Sequence, residues 1–127
     1  MLIERSELTA GSTWHATGLL PLFAILYTVG QLHKYSVDLY ELLPGETGQD
    51  VSFHVTGNLR LATSQDRMDE YLKYCGVANT IGVPFQIITP QEVKKLWPLI
   101  DLGDGVNTPK IVGALYHPDD GQLRRSI

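Results

Sequence analysis

Cysteine is nearly absent. Cys75 stands alone among 127 residues, so no disulfide can close within the chain and a reducing compartment is the simpler setting. Positive charge is also scarce. Ten Lys and Arg against fourteen Asp and Glu leave a net charge of -4, whereas nucleic-acid binders carry a basic face, so nucleic acid is not an expected partner. The longest apolar run, GLLPLFAILYTVG (residues 18–30), is shorter than the roughly 20 residues a bilayer span needs and contains Pro21, so no membrane association is expected. Glu4, Arg5 and Glu7 stand where a secretory signal has its apolar stretch. His15, His33, His54 and His117 show no ligand spacing, which gives no ground for a metal site. Repeats and low-complexity segments are missing as well. The remainder is an ordinary globular composition, 43% apolar and 19% charged, of a size that makes one domain.

The apolar spacing predicts a mixed α/β order. Met1–Ile3 reads as the end of a buried strand. Val29, Leu32, Ser36, Leu39 and Leu43 recur at helical steps over Thr28–Leu43, with Tyr35 beside them, and Pro44-Gly45 is the expected stop. Val51–Val55 and Asn58–Ala62 read as two short strands broken at Thr56-Gly57. Leu59 and Leu61 alternate there with Asn58 and Arg60, which places Arg60 on a solvated face. Ser64 is an N-cap for a second helix with Met68, Leu72, Cys75 and Asn79 as its inner stripe. Phe85–Ile88 is a further strand. The sequence TPQE (Thr89–Glu92) is a capping box for a third helix ending near Pro98. A loop through DLGDGVNTPK leads to the strand in IVGALYHPDDG, closed by a turn at Asp119-Asp120-Gly121.

One stretch stands out: TAGSTWHATG, residues 9–18. It is small and polar, and it presents Trp14 and His15 side by side. Three readings compete for it. A plain connecting loop is one. A nucleophile site fits poorly, because Ser12 has no G-x-S-x-G around it. The third is a dinucleotide site: an acidic residue at the end of a second strand accepts hydrogen bonds from an adenosine ribose, and Glu4 has that placement. The small residues after it would let backbone N–H groups approach a pyrophosphate, with Ser12 and Thr13 hydroxyls as donors. His33, His54, His117 and Cys75 read as structural.

LIERSELTAGSTWHATGLLP resembles the flavin segment of the dimethylglycine dehydrogenase and sarcosine dehydrogenase family, within the D-amino-acid-oxidase-like flavoproteins. The similarity continues through HKYSVDLYELLPGETG, SFHVTGNLRLATSQDRMDEY, ITPQEVKKLWPLI and GALYHPDDG, and so covers Leu2 to Gly121. The resemblance implies a fold: an incomplete FAD-binding Rossmann-like part over residues 1–25, a substrate-side, antiparallel-sheet part over 26–121, and an off-pattern tail over 122–127. It also implies roles. Glu4 and Arg5 would meet the ribose, Gly11, Ser12 and Thr13 the pyrophosphate. His15 matches the histidine that bonds covalently to the 8α-methyl of FAD. Trp14, Ala16, Thr17, Gly18 and Leu19 would run along the cofactor toward the isoalloxazine. The tether would keep the cofactor in place and make it a stronger oxidant.

The resemblance has gaps. No G-x-G-x-x-G turn precedes Glu4 in these residues, DGQLRRSI leaves the family pattern, and LLPGETG replaces the family's EEETG. The expectation is therefore a piece of an FAD-dependent amine oxidoreductase acting on a small N-methyl amino acid of the dimethylglycine or sarcosine type, inactive alone and prone to associate. Tetrahydrofolate would enter only through a C-terminal folate domain that these residues do not include. The rival expectation is a non-catalytic binding or regulatory relative of the same fold. Cytoplasm in a bacterium, or the mitochondrial matrix in a eukaryote, would suit either.

Overall fold

Helix starts in this chain are set by side-chain caps where they exist. The computed structural model describes residues 3, 5–7 and 10–123. In it Ser64 is extended and its hydroxyl accepts the Arg67 N–H at 3.3 Å, which opens a helix at Gln65. Thr89 and Glu92 form the full reciprocal box: the Thr89 hydroxyl accepts the Glu92 N–H at 3.3 Å, and the Glu92 carboxylate accepts the Thr89 N–H at 2.7 Å. Hydrogen bonds from the Thr89 backbone and hydroxyl hold the Glu92 carboxyl below its ordinary range. Pro90 occupies the first turn, where its missing donor costs nothing.

The elements in chain order are α1 (Ser12–His15), β1 (Leu19–Leu20), α2 (Tyr27–Thr47), β2 (Phe53–Val55), β3 (Asn58–Ala62), α3 (Gln65–Ile81), β4 (Gln86–Ile88), α4 (Pro90–Leu96), β5 (Gly113–His117) and β6 (Gly121–Leu123). They make two three-stranded antiparallel sheets, ordered β1-β6-β2 and β3-β5-β4. This is the mixed helix and antiparallel-sheet class expected.

The second sheet carries the core because both its faces are covered. Asn58, Arg60 and Ala62 pair with His117, Leu115 and Gly113. Side chains alternate across a strand, so these residues look toward α3, where Tyr71, Tyr74 and Ala78 complete a cluster with Leu22, Val37, Val83 and Leu115. On the other face Ala114, Ile88, Leu59, Leu61 and Tyr116 meet Val93 of α4 and Ile100 and Ile111 of the loop between α4 and β5. That loop is shaped by Asp104, whose carboxylate accepts the N–H groups of Val106, Asn107 and Thr108 at 2.8–3.0 Å. Those donors hold its pKa well below the usual carboxylate range.

Several sequence expectations differ from this structure. The chain runs helical through Pro44, which forgoes one donor near the end of α2. The stop is Gly48, whose φ of +69° suits the left-handed cap and whose N–H reaches the Pro44 carbonyl at 3.0 Å. The phase of α2 also differs. Gly30 and Val37 are buried, whereas Leu32 and Tyr35 are exposed by 62% and 65%. A Cβ on Gly30 would meet the end of the Ile81 side chain, so glycine there lets α2 approach α3 without displacing that side chain. On α3 the inner stripe runs through Tyr71, Tyr74 and Ala78; Leu72 and Asn79 face solvent. Ile3 is outside any strand and exposed, while Met1 and Leu2 lie outside the described residues. Gln122 and Leu123 belong to β6, at the centre of its sheet.

Candidate functional site

Of the stretch singled out by composition, Thr9 lies outside the described residues, and Ala10–Ser12 and His15–Thr17 are exposed. The Ala10 N–H donates to the Glu7 carbonyl at 3.2 Å, and Gly11, at φ +85°, turns the backbone into α1 with nothing within 4 Å of where a Cβ would sit. Ser12, His15, Ala16 and Thr17 are exposed, as is Leu19 by 59%. Thr13 and Trp14 lie within α1, and Arg5 is exposed. Glu4, the expected ribose ligand, lies outside the described residues. The other sequence-predicted positions are Arg5 and the consecutive run Gly11–Leu19. Open space beside Gly11, an exposed serine and an accessible imidazole fit a long anionic cofactor laid against this strip.

Beyond the strip the chain is fastened tightly. Gly18, at φ +77°, offers its carbonyl to the Leu123 N–H at 2.7 Å, and a Cβ there would lie 2.5 Å from the Leu123 carbonyl oxygen. A side chain at this position would both strain the backbone and collide with β6. Leu19 and Leu20 then pair with Gln122 and Gly121. Two residues later the Leu22 N–H donates to Asp120 Oδ1 at 2.9 Å, and the Leu22 carbonyl accepts from the Tyr74 hydroxyl at 3.4 Å. Asp120 is 2% exposed, and its own carbonyl accepts from the N–H groups of Thr56 and Gly57.

A buried polar cluster surrounds this fastening. His117 is fully buried, with Nε2 3.0 Å from the Tyr74 hydroxyl. Burial, with the Arg60 charge nearby, takes its pKa down to about 4, so the ring is neutral at pH 7. Burial pushes Tyr74 up to about 12, helped by the Asp120 charge. Asp120 is raised by burial, against the opposing pull of the Leu22 amide, Arg60 and Asn58. Arg60 does not lie on a solvated face. Its Cζ sits 4.4 Å from the centroid of Phe23 and its Nε is buried, because α3 covers the side of β3 that alternation alone left open. Arg60 Nε, His117 Nδ1 and Asp120 Oδ2 have no hydrogen-bond partner among the described residues.

His117, read from the sequence as structural, is a core histidine. His54 is exposed on β2, His33 is half-buried on α2, and burial raises the Cys75 thiol on α3. Sequence reading missed Tyr74 and Asp120. The spacing Tyr71-Tyr74-Ala78 carries a signal for the first, at steps of three and four. Nothing in Asp119-Asp120-Gly121 marks which of the two aspartates is buried. A separate concavity of about 350 Å³, lined by Thr56, Asn58, Leu59, Leu96, Trp97 and Tyr116, includes none of the predicted residues. No helix among the described residues is long and apolar enough to cross a membrane.

Known proteins match nearly all of this chain. Dimethylglycine dehydrogenase, a mitochondrial protein of Rattus norvegicus, is 42% identical over 123 residues, which is 97% of this chain and 14% of the relative. Sarcosine dehydrogenase, mitochondrial, of Homo sapiens is 32% identical over 97% of this chain and 13% of its own length. The chain therefore spans about one-seventh of these relatives. Among solved structures, L-proline dehydrogenase from P. horikoshii superposes with a TM-score of 0.77 at 27% identity, covering 90% of this chain and 28% of that one. The family model described as FAD dependent oxidoreductase matches residues 1–126, and with an open strip and relatives of this kind the chain belongs to the FAD-dependent oxidoreductases.

Proposed function

We propose that these residues form the flavin-holding strip and part of the substrate-side sheet of an enzyme that oxidises small N-methyl amino acids of the dimethylglycine and sarcosine type. The observation that carries this reading is the largely exposed run from Gly11 to Leu19, fastened to β6 just behind His15. In that reading Glu4 and Arg5 meet the adenosine ribose, and Gly11, Ser12 and Thr13 line the pyrophosphate. His15 is the covalent tether to the 8α-methyl of the flavin, with Trp14, Ala16, Thr17, Gly18 and Leu19 alongside it. Bound FAD supplies the two-electron oxidation of an amine C–H bond. The chain's own work is to hold that group, fix its distance from the sheet and exclude water from behind it.

The test grafts residues 1–123 into the corresponding part of rat dimethylglycine dehydrogenase. The expected result is a yellow protein whose colour stays with the polypeptide through acid precipitation, and loss of that acid-stable colour in His15→Ala. A folded but colourless graft would overturn the reading. Acid-stable colour that survives His15→Ala would remove the tether from His15.

A further inference from the structure

The strip that carries His15 is anchored at its C-terminal end by three consecutive fastenings: Gly18 on Leu123, the β1–β6 pairing, and Leu22 on Asp120. The first two are backbone bonds, and the first of them needs glycine at position 18. The third depends on one side chain. Asp120 is a carboxylate 2% exposed, at the turn between β5 and β6, and it spends one oxygen on a backbone N–H 98 positions earlier in the chain. A buried carboxylate is costly unless its partners are fixed; here Oδ1 has the Leu22 N–H, Oδ2 has no partner among the described residues, and the backbone around both ends of the bond is held. The Asp120 carbonyl is held by Thr56 and Gly57, and Tyr74 takes the far side of the same Leu22 residue. The acid therefore sits on a rigid mount and grips a point a short way along the chain from His15.

We infer that Asp120 is a positioning residue for the flavin strip, acting through Leu22 to set where His15 and Gly18 stand relative to the sheet. This role rests on the flavin reading of the strip. It differs from a purely structural one in being graded along the chain: loss of the carboxylate frees the Leu22 N–H and loosens the strip around it more than the α3–β5 core, against which the Leu22 and Phe23 side chains still pack. An aspartate-to-asparagine change keeps an acceptor oxygen of the same reach and so keeps the grip, although it removes the charge.

The test compares Asp120→Ala with Asp120→Asn by two measurements. Amide hydrogen exchange on the full-length chain should show Leu22 and its neighbours losing at least about tenfold protection in Asp120→Ala, with α3 and β5 amides changing less than about threefold. In the graft into dimethylglycine dehydrogenase, Asp120→Ala should lower the flavin-to-protein ratio at least about fivefold with its circular dichroism unchanged, and Asp120→Asn should restore both readouts to within about twofold of wild type. Unchanged Leu22 protection and flavin content in Asp120→Ala overturns the inference. So does an equal loss of protection across α3, β5 and the strip, or a failure of Asp120→Asn to rescue. A colourless wild-type graft sinks the flavin reading and this role with it, whereas a yellow wild-type graft with an unaffected Asp120→Ala sinks this role alone.

Discussion

Helices α2 and α3 cross at Gly30 and Ile81, and they use their apolar residues in opposite ways. The 17 residues of α3 bury Tyr71, Tyr74 and Ala78 against the sheet. The 21 residues of α2 bury only Gly30 and Val37, while Val29, Leu32, Tyr35 and Leu42 face outward. A count of apolar residues does not separate the two helices. Proximity does, because the absent side chain at Gly30 brings α2 onto the edge of α3 and leaves it a narrow inner stripe. Burial depends on which face the crossing selects, and hydrophobicity only permits it.

That contrast can be tested by substitution. Removing the Tyr74 ring, packed 4.5 Å from Phe23 and bonded to His117, should cost about 3–5 kcal/mol, the range for deleting a buried aromatic side chain. Urea unfolding of Tyr74→Ala measures it, and a cost under about 1 kcal/mol would mean that α3 is no more buried than α2.

Acid should weaken the same region. His117 titrates near 4 when folded and near its ordinary 6.5 when unfolded. Between those values the unfolded chain takes up a proton that the folded chain refuses, so stability is whole above about 6.5 and falls as the pH drops. The loss between about pH 7 and pH 5 should be about 2 kcal/mol from this group. Asp120 acts in the other direction, because its raised pKa makes the folded chain accept a proton first and returns some stability at lower pH. Unfolding curves at the two pH values, with His117→Gln expected to flatten the difference, decide whether this ring is the source.

The smallest effect belongs to α2. Leu32→Lys should change stability by less than about 0.5 kcal/mol, since its site is already wet. Sedimentation velocity should show less self-association, because the substitution breaks an exposed apolar face. A large loss of stability instead would mean that Leu32 is covered in solution.

The legible features of the sequence were local ones. The Thr89–Glu92 box and the Ser64 cap involve atoms three residues apart, so their bonds are written in the chain itself. Strand β3 was legible for the same reason: alternation over Asn58–Ala62 marks an extended segment. Alternation does not reveal that a second layer covers the polar side, which is why Arg60 was placed in water when it lies over Phe23. The helical phase of α2 was lost because its apolar residues surround most of the cylinder, and only a tertiary partner picks among them. At the candidate site, the proposal for the strip from Gly11 to Leu19 starts from its small residues and its resemblance. Asp120 could not be, since its grip on Leu22 joins residues 98 positions apart.

That distance carries a kinetic consequence. A contact between such distant residues closes only after a long loop has been gathered, and topologies rich in them fold slowly. On a ribosome adding about 5–20 residues per second, Asp120 and Leu123 emerge roughly 5–20 s after His15. Throughout that interval β1 has no β6 to pair with, since its partners Gly121 and Gln122 have yet to be made. Residues synthesised early in this chain are therefore among the last to reach their places.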